Sequence, residues 1–175
     1  EVVQSEVGRI HRVVEALYEF AAQPRLEFGI SDLTRDVQGI LSDFEHILQE
    51  KGIQLQTEFD ETDTPVLVDS HQFARAVRNV IQNSIEAMPE GGTLKVSTRR
   101  DNGRCELVVR DSGTGINDGD STQVFTPFFS TKEKGMGLGL TMASRILQEH
   151  EGTLNLTQDA EGSKFVFELP VAPKG

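Results

Sequence analysis

The 175-residue sequence holds one cysteine, no tryptophan and one tyrosine. With Cys105 alone, no intramolecular disulfide can form; the thiol falls in an apolar strand pattern, where a buried, inert group suited to a reducing compartment is expected. The 17 basic residues are outnumbered by 28 acidic ones, for a net charge of −11. That balance excludes the broad cationic surface of a nucleic-acid-binding domain and a polybasic membrane patch. No apolar run could span a bilayer, and no secretory signal is present, so no direct membrane contact and a cytoplasmic setting are expected. The four histidines lack metal-ligand spacing. There is no internal repeat or low-complexity tract, and the length suffices for one sizeable core. The chain starts at Glu1 without Met, and a longer parent protein is expected.

Glycine, by contrast, is concentrated where it matters. Val124–Leu140 reads VFTPFFSTKEKGMGLGL, with Gly135, Gly137 and Gly139 behind a cationic run. Alternate glycines allow close backbone approach and converging N–H donors. Apolar residues Leu140, Ala143, Ile146 and Leu147 then recur at helical spacing, so a glycine turn enters a helix N-terminus, a natural phosphate seat. A P-loop would need Lys-Ser/Thr after its last glycine, and Leu140-Thr141 stand there instead. A dinucleotide fingerprint would need a buried strand before it, and STKEK is not one.

Two further patterns bear on an anion site. Asp111-Ser112-Gly113-Thr114-Gly115-Ile116 follows the strand pattern of Cys105–Val109. An ionised carboxylate at a strand end accepts hydrogen bonds only, as the exocyclic amino group of adenine requires; an ordinary turn is the plainer reading of this motif alone. Upstream, His71–Met88 places Gln72, Arg75, Asn79, Gln82, Asn83 and Glu86 on one helical face and apolar residues on the other. Asn79 and Asn83 lie one turn apart, and asparagine is a poor mid-helix residue, which leaves a functional face or simple solvation.

In that order, Asn-x-x-x-Asn, Asp-x-Gly-x-Gly, the Phe-rich stretch and Gly-x-Gly-x-Gly resemble the N, G1, F and G2 boxes of the ATP-binding domain of bacterial sensor histidine kinases. Gly162-Ser163-Lys164-Phe165 resembles that family's terminal Gly-Thr-x-Phe element, with Ser for Thr. The resemblance covers residues 30 to 171, and NSIEAMPEGGTLKVS with PFFSTKEKGMGLGL is most similar to the nitrogen-regulation type.

The periodicities predict an α/β sandwich: a mixed sheet, helices on one face, the other face partly polar. The resemblance names it the two-layer Bergerat fold. A helix with Leu33, Val37, Ile40, Leu41, Phe44, Ile47 and Leu48 on one face is capped by Ser31 or Asp32. Strands follow at 53–59, 66–68, 93–99, 105–110, 153–157 and 164–169. Ahead of them, Val3, Val7, Ile10, Val14, Leu17 and Ala21 step by fours and threes, either a coiled-coil seam or one amphipathic helix. The resemblance favours the seam, as the second helix of a dimerisation hairpin. Residues 1–24 are thus expected to be part of the dimerisation and histidine-phosphotransfer element, 25–30 a linker, and 31–175 the catalytic domain. His11, followed by Arg12 and Val13, lacks the family's His-Glu or His-Asp context, so the phosphoacceptor is expected on a preceding helix.

The resemblance implies ATP and Mg²⁺ as ligands, with Asp111 reading adenine and Asn83 holding the metal. Asn79 would line the phosphates, and Asn79, Asn83 and Lys132 would carry the catalytic roles. Gly113, Gly115, Ile116, Phe128, Gly135, Gly137, Leu138, Gly139, Leu140 and Ser163 complete the nucleotide contacts. Lys132 and Lys134 suit phosphate cations or solvated lid residues equally, and Phe125, Phe128 and Phe129 suit lid anchors or core. In gyrase and heat-shock chaperone relatives a Glu occupies the position of Asn79 and activates water; an amide cannot. Homodimerisation through the N-terminal helix and phosphorelay to a response-regulator receiver domain are implied. A serine kinase of the anti-sigma-factor type and a regulatory module without chemistry are the competing readings, and the N-terminal heptads and intact glycine boxes speak against them.

Overall fold

The computed structural model describes residues 14, 18, 25–60, 62–115, 123–130 and 136–173. The heptad seam, apart from Val14, and His11 therefore lie outside the described residues; Val14 and the neighbouring Tyr18 are helical and exposed.

Strand β1 (Gly29–Asp32) leads into helices α1 (Leu33–Ser42) and α2 (Glu45–Glu50). Next come β2 (Ile53–Phe59), β3 (Pro65–Val68) and the long helix α3 (Ser70–Glu86). The chain closes with β4 (Gly92–Asp101), β5 (Arg104–Asp111), α4 (Gly139–Glu149), β6 (Thr153–Asp159) and β7 (Gly162–Pro170). Five strands form one mixed sheet in the order β2-β4-β5-β7-β6. Only β2 and β4 run parallel, because β3 and α3 intervene as a crossover; the hairpins β4-β5 and β6-β7 are antiparallel.

Side-chain parity divides the sheet. Cys105, Leu107, Val109 and Asp111 of β5 are buried, whereas Glu106, Val108 and Arg110 between them face the opposite, more open side. Leu94, Val96, Leu107, Val109, Phe165 and Phe167 pack with Phe73, Val77, Val80, Ile81, Ala143, Ile146 and Leu147 in one core. On the open side, polar pairs such as Arg99–Glu106 satisfy the half-solvated face.

Two features depart from the sequence reading. The apolar face of residues 33–48 is split into two helices. Asp43 N–H donates to the carbonyls of Ile40 and Leu41, tightening the last turn of α1, while the Asp43 carboxylate pairs with Arg78 of α3 at 2.6 Å. The second is a separate two-stranded sheet of β1 and β3, with Ile30 opposite Leu67. It begins at Gly29, inside the stretch read as linker, and bridges to β7's end through Val66 and Val171. Asp32 caps α1 as expected, accepting from Arg35 N.

Candidate nucleotide site

Parity is what buries Asp111. As the last residue of β5 it follows Cys105, Leu107 and Val109 onto the helix-covered face, and it is 1% exposed. A carboxylate there needs donors, and Gly113 N supplies one to Oδ1 at 3.0 Å. The turn is tucked beneath the end of α3, where Thr114 N donates to the Ala87 carbonyl. A Cβ on Gly113 would lie 2.7 Å from Ala87 O and 2.9 Å from Asp111 Oδ1. The glycine thus makes room for the protein's own backbone. Gly115 stands in the same turn. Across the sheet, Asp111 is in register with Ser163, which is buried and whose hydroxyl accepts from Gln158 Nε2 at 3.5 Å.

The helix α3 starts at the Asp69 cap and buries Phe73, Ala76, Val77, Val80, Ile81, Ser84 and Ile85. Asn79 and Asn83 are left half-buried on its flank. Asn79 Nδ2 donates to the carbonyl of Gly139, the first residue of α4, at 3.2 Å. The N-box asparagine is therefore fastened to the head of the G2 helix. Glu86, farther along, accepts from Gln82 on the exposed side.

The head of α4 has no side-chain cap, since its capping position is Leu138, which is buried at 5% exposure. Leu138 is buried and the half-buried Leu140 packs on the core, so their backbone is what can serve a ligand. The first N–H groups of such a helix suit an anion. Gly137 is forced by the F-box segment: a Cβ there would fall 2.3 Å from the Phe129 carbonyl oxygen, and Phe128 N donates to Gly137 O. Of the three phenylalanines that suited either lid anchors or core, Phe125 packs on the core and Phe129 is half-buried. Phe128 is not an anchor. It is 60% exposed with φ +67°, because its backbone is turned back to meet Gly137. Ile116, Lys132, Lys134 and Gly135 lie outside the described residues.

The structure thus gathers Asp111 and its glycine turn at the carboxyl end of α3, and Asn79 with Gly139 halfway along it. Two strongly buried or bonded residues escaped the sequence reading: Asp69 and His150. Asp69 could have been found from Asp-Ser-His-Gln opening the asparagine helix, a capping signature; His150, 81 positions away, carries no local signal.

This arrangement has close parallels. Residues 68–173 match the model of the "Histidine kinase-, DNA gyrase B-, and HSP90-like ATPase" family. The chain belongs to that family. Sporulation kinase C of Bacillus subtilis (strain 168) is 35% identical over 175 residues, covering 98% of this chain and 40% of its own length. Sensor histidine kinase ZraS of Escherichia coli (strain K12) is 30% identical, over 98% of this chain and 37% of its own length. The chain thus spans about two fifths of these curated relatives. The nucleotide-free catalytic domain of histidine kinase ThkA superposes with a TM-score of 0.78 at 30% identity, covering 85% of this chain and all of that one. ThkA in complex with the response regulator TrrA gives 0.84 at 27% identity, over 98% of this chain and 50% of that one. Fold and family are those of a histidine kinase ATP-binding catalytic domain, and no described helix is long and apolar enough to cross a membrane.

Proposed function

We propose that the parent protein is a two-component sensor histidine kinase. Its catalytic domain passes the γ-phosphoryl group of ATP to a histidine on a dimerisation helix, for relay to a response-regulator aspartate. One observation carries this reading. The helix that flanks buried Asp111 presents an amide, Asn79, to the head of α4, one turn before Asn83.

Asp111 accepts the adenine amino group, and the turn at Gly113 and Gly115 holds the base end. Backbone donors at the head of α4 take the phosphates, with Lys132 as a neutralising cation. The Asn83 amide oxygen is the metal ligand; a neutral oxygen donor beside phosphate oxygens suits magnesium, which keeps most of its waters. Bound there, the ion would spread the negative charge of the transferring group. Asn79 positions the phosphates through its tie to Gly139 and has no basic group with which to activate water. The site therefore favours transfer to an imidazole over hydrolysis. The N-terminal heptads pair two such chains in a cytoplasmic homodimer, and the receiver domain docks on that assembly. ThkA, a similar chain, was crystallised in complex with the response regulator TrrA.

Incubation of the intact protein with γ-labelled ATP should leave acid-labile, base-stable label on the protein, with little free phosphate. Acid-stable label on serine would favour the serine-kinase reading, and rapid phosphate release without label would contradict transfer altogether.

A further inference from the structure

Asp69 divides its two carboxylate oxygens between distant parts of the chain. Oδ1 accepts from His71 N at 3.1 Å and from Gln72 N at 3.0 Å, capping α3. Oδ2 accepts from Glu27 N at 2.8 Å, 42 positions earlier, where the chain enters the domain. The backbone N–H of Asp69 donates to His150 Nε2 at 3.0 Å. His150 follows α4 and is 2% exposed, and its Nδ1 lies 2.7 Å from the Ile146 carbonyl. An amide can only donate and a carbonyl only accept, so the ring as placed is neutral, with its proton on Nδ1. The Phe28 ring leans on this imidazole, with centroids 5.1 Å apart at 58°. One carboxylate and one imidazole thereby join the entering chain, the start of α3 and the end of α4. At the far end of the frame the same two helices are joined again, by Asn79 and Gly139.

We propose that Asp69 and His150 form a latch that sets the entering segment against the two nucleotide-site helices, making Asp69 a positioning residue for phosphoryl transfer. The reaction arm of this proposal rests on the kinase reading above. A cap alone does not require this residue, because serine, threonine or asparagine would serve α3 as well. Burial works against a carboxylate at this position. The backbone donors of Glu27, Gln72 and His71 outweigh it and hold the Asp69 carboxyl below its ordinary range. Only an anion offers acceptors to both directions at once. From Asp69 to Asn79 the connection is three turns of regular helix, a stiff element that carries a shift at its start toward the phosphate end.

Asp69→Asn separates the two duties. Its carbonyl oxygen still caps α3, while its NH₂ group cannot accept from Glu27. In the intact protein, exchange at the Glu27 amide should accelerate about tenfold or more in this variant, the scale of one lost charge-assisted bond. ATP affinity and apparent KM should stay within about twofold while kcat for histidine labelling falls severalfold. Asp69→Ala, which removes the cap as well, should also lower thermal stability. Unchanged Glu27 exchange in Asp69→Asn would overturn the latch. Faster exchange with unaltered kcat would overturn the positioning role. If the unsubstituted protein transfers nothing to histidine, the kinase reading is at fault, and the exchange arm decides the latch by itself.

Discussion

Gly162 opens β7 directly against the carboxylate strand, with φ +126°. A Cβ at this position would sit 2.0 Å from the Asp111 carbonyl oxygen, 2.9 Å from its carbonyl carbon and 3.0 Å from Ser112 Cα. All three are backbone atoms of Asp111 and of Ser112 just after it, so no side-chain rotation relieves the clash. Gly103, in the β4-β5 turn, is a matched control: its φ is +80°, but nothing lies within 4 Å of an added Cβ. Backbone strain costs Gly103→Ala about 1–2 kcal/mol. Gly162→Ala should pay that and roughly 1–3 kcal/mol more for overpacking. At about 2–4 °C per kcal/mol for a domain of this size, the two melting temperatures should differ by roughly 2–12 °C, Gly162→Ala being lower. The clash displaces Asp111, so Mg-ADP affinity should fall in Gly162→Ala and hold in Gly103→Ala. Thermal unfolding and isothermal calorimetry on the three proteins decide it. Equal melting temperatures and equal affinities in the two variants would show that the close approach at Gly162 does not set the position of Asp111.

Asn83→Ala should fold normally yet lose at least about tenfold in magnesium-dependent nucleotide binding, the loss common when even a supporting residue of a metal site is removed; magnesium titrations at fixed ADP would register it. His11 should remain unlabelled during autophosphorylation, since its neighbours are Arg12 and Val13, and peptide mapping of base-stable label would expose an error. Asp69 has a folded-state pKa held below its ordinary value, so its contribution to stability is complete above the unfolded value of about 3.9 and disappears as pH falls through the folded one. Denaturant titrations below about pH 4 should therefore show a shallower acid loss in Asp69→Asn than in the unsubstituted protein.

Much of this fold was legible because its key elements are long or strictly periodic. The asparagine helix has an apolar face interrupted only by Ser84, and the alternation of Cys105, Leu107 and Val109 sends the next inward position to Asp111. Register from β5 to β7 then places Ser163 opposite it. What was not legible depends on contacts between distant segments. At the break between α1 and α2, Asp43 pairs with Arg78 on another helix, a contact that no local pattern announces. Of the ribbon, the strand at 66–68 was read, but β1 is only four residues long, too short for a period to register, and its pairing with β3 was missed. Glycine spacing marked the right loops but not the reasons: Gly113 and Gly137 are needed because Ala87 and Phe129 crowd them. The exposure of Phe128 follows from that same contact and cannot be read from its neighbours.

We propose that an adenine nucleotide sits with its base on Asp111 and its phosphates between α3 and the head of α4. Calorimetric titration of Mg-ADP into the unsubstituted protein and Asp111→Asn tests it most directly. The amide keeps the Gly113 contact but donates where the carboxylate accepted, and a lost bond to a charged acceptor costs about 1.5–3 kcal/mol. Affinity should therefore fall about 10- to 100-fold in a protein that melts like its parent. Undiminished Mg-ADP affinity in Asp111→Asn would contradict the claim.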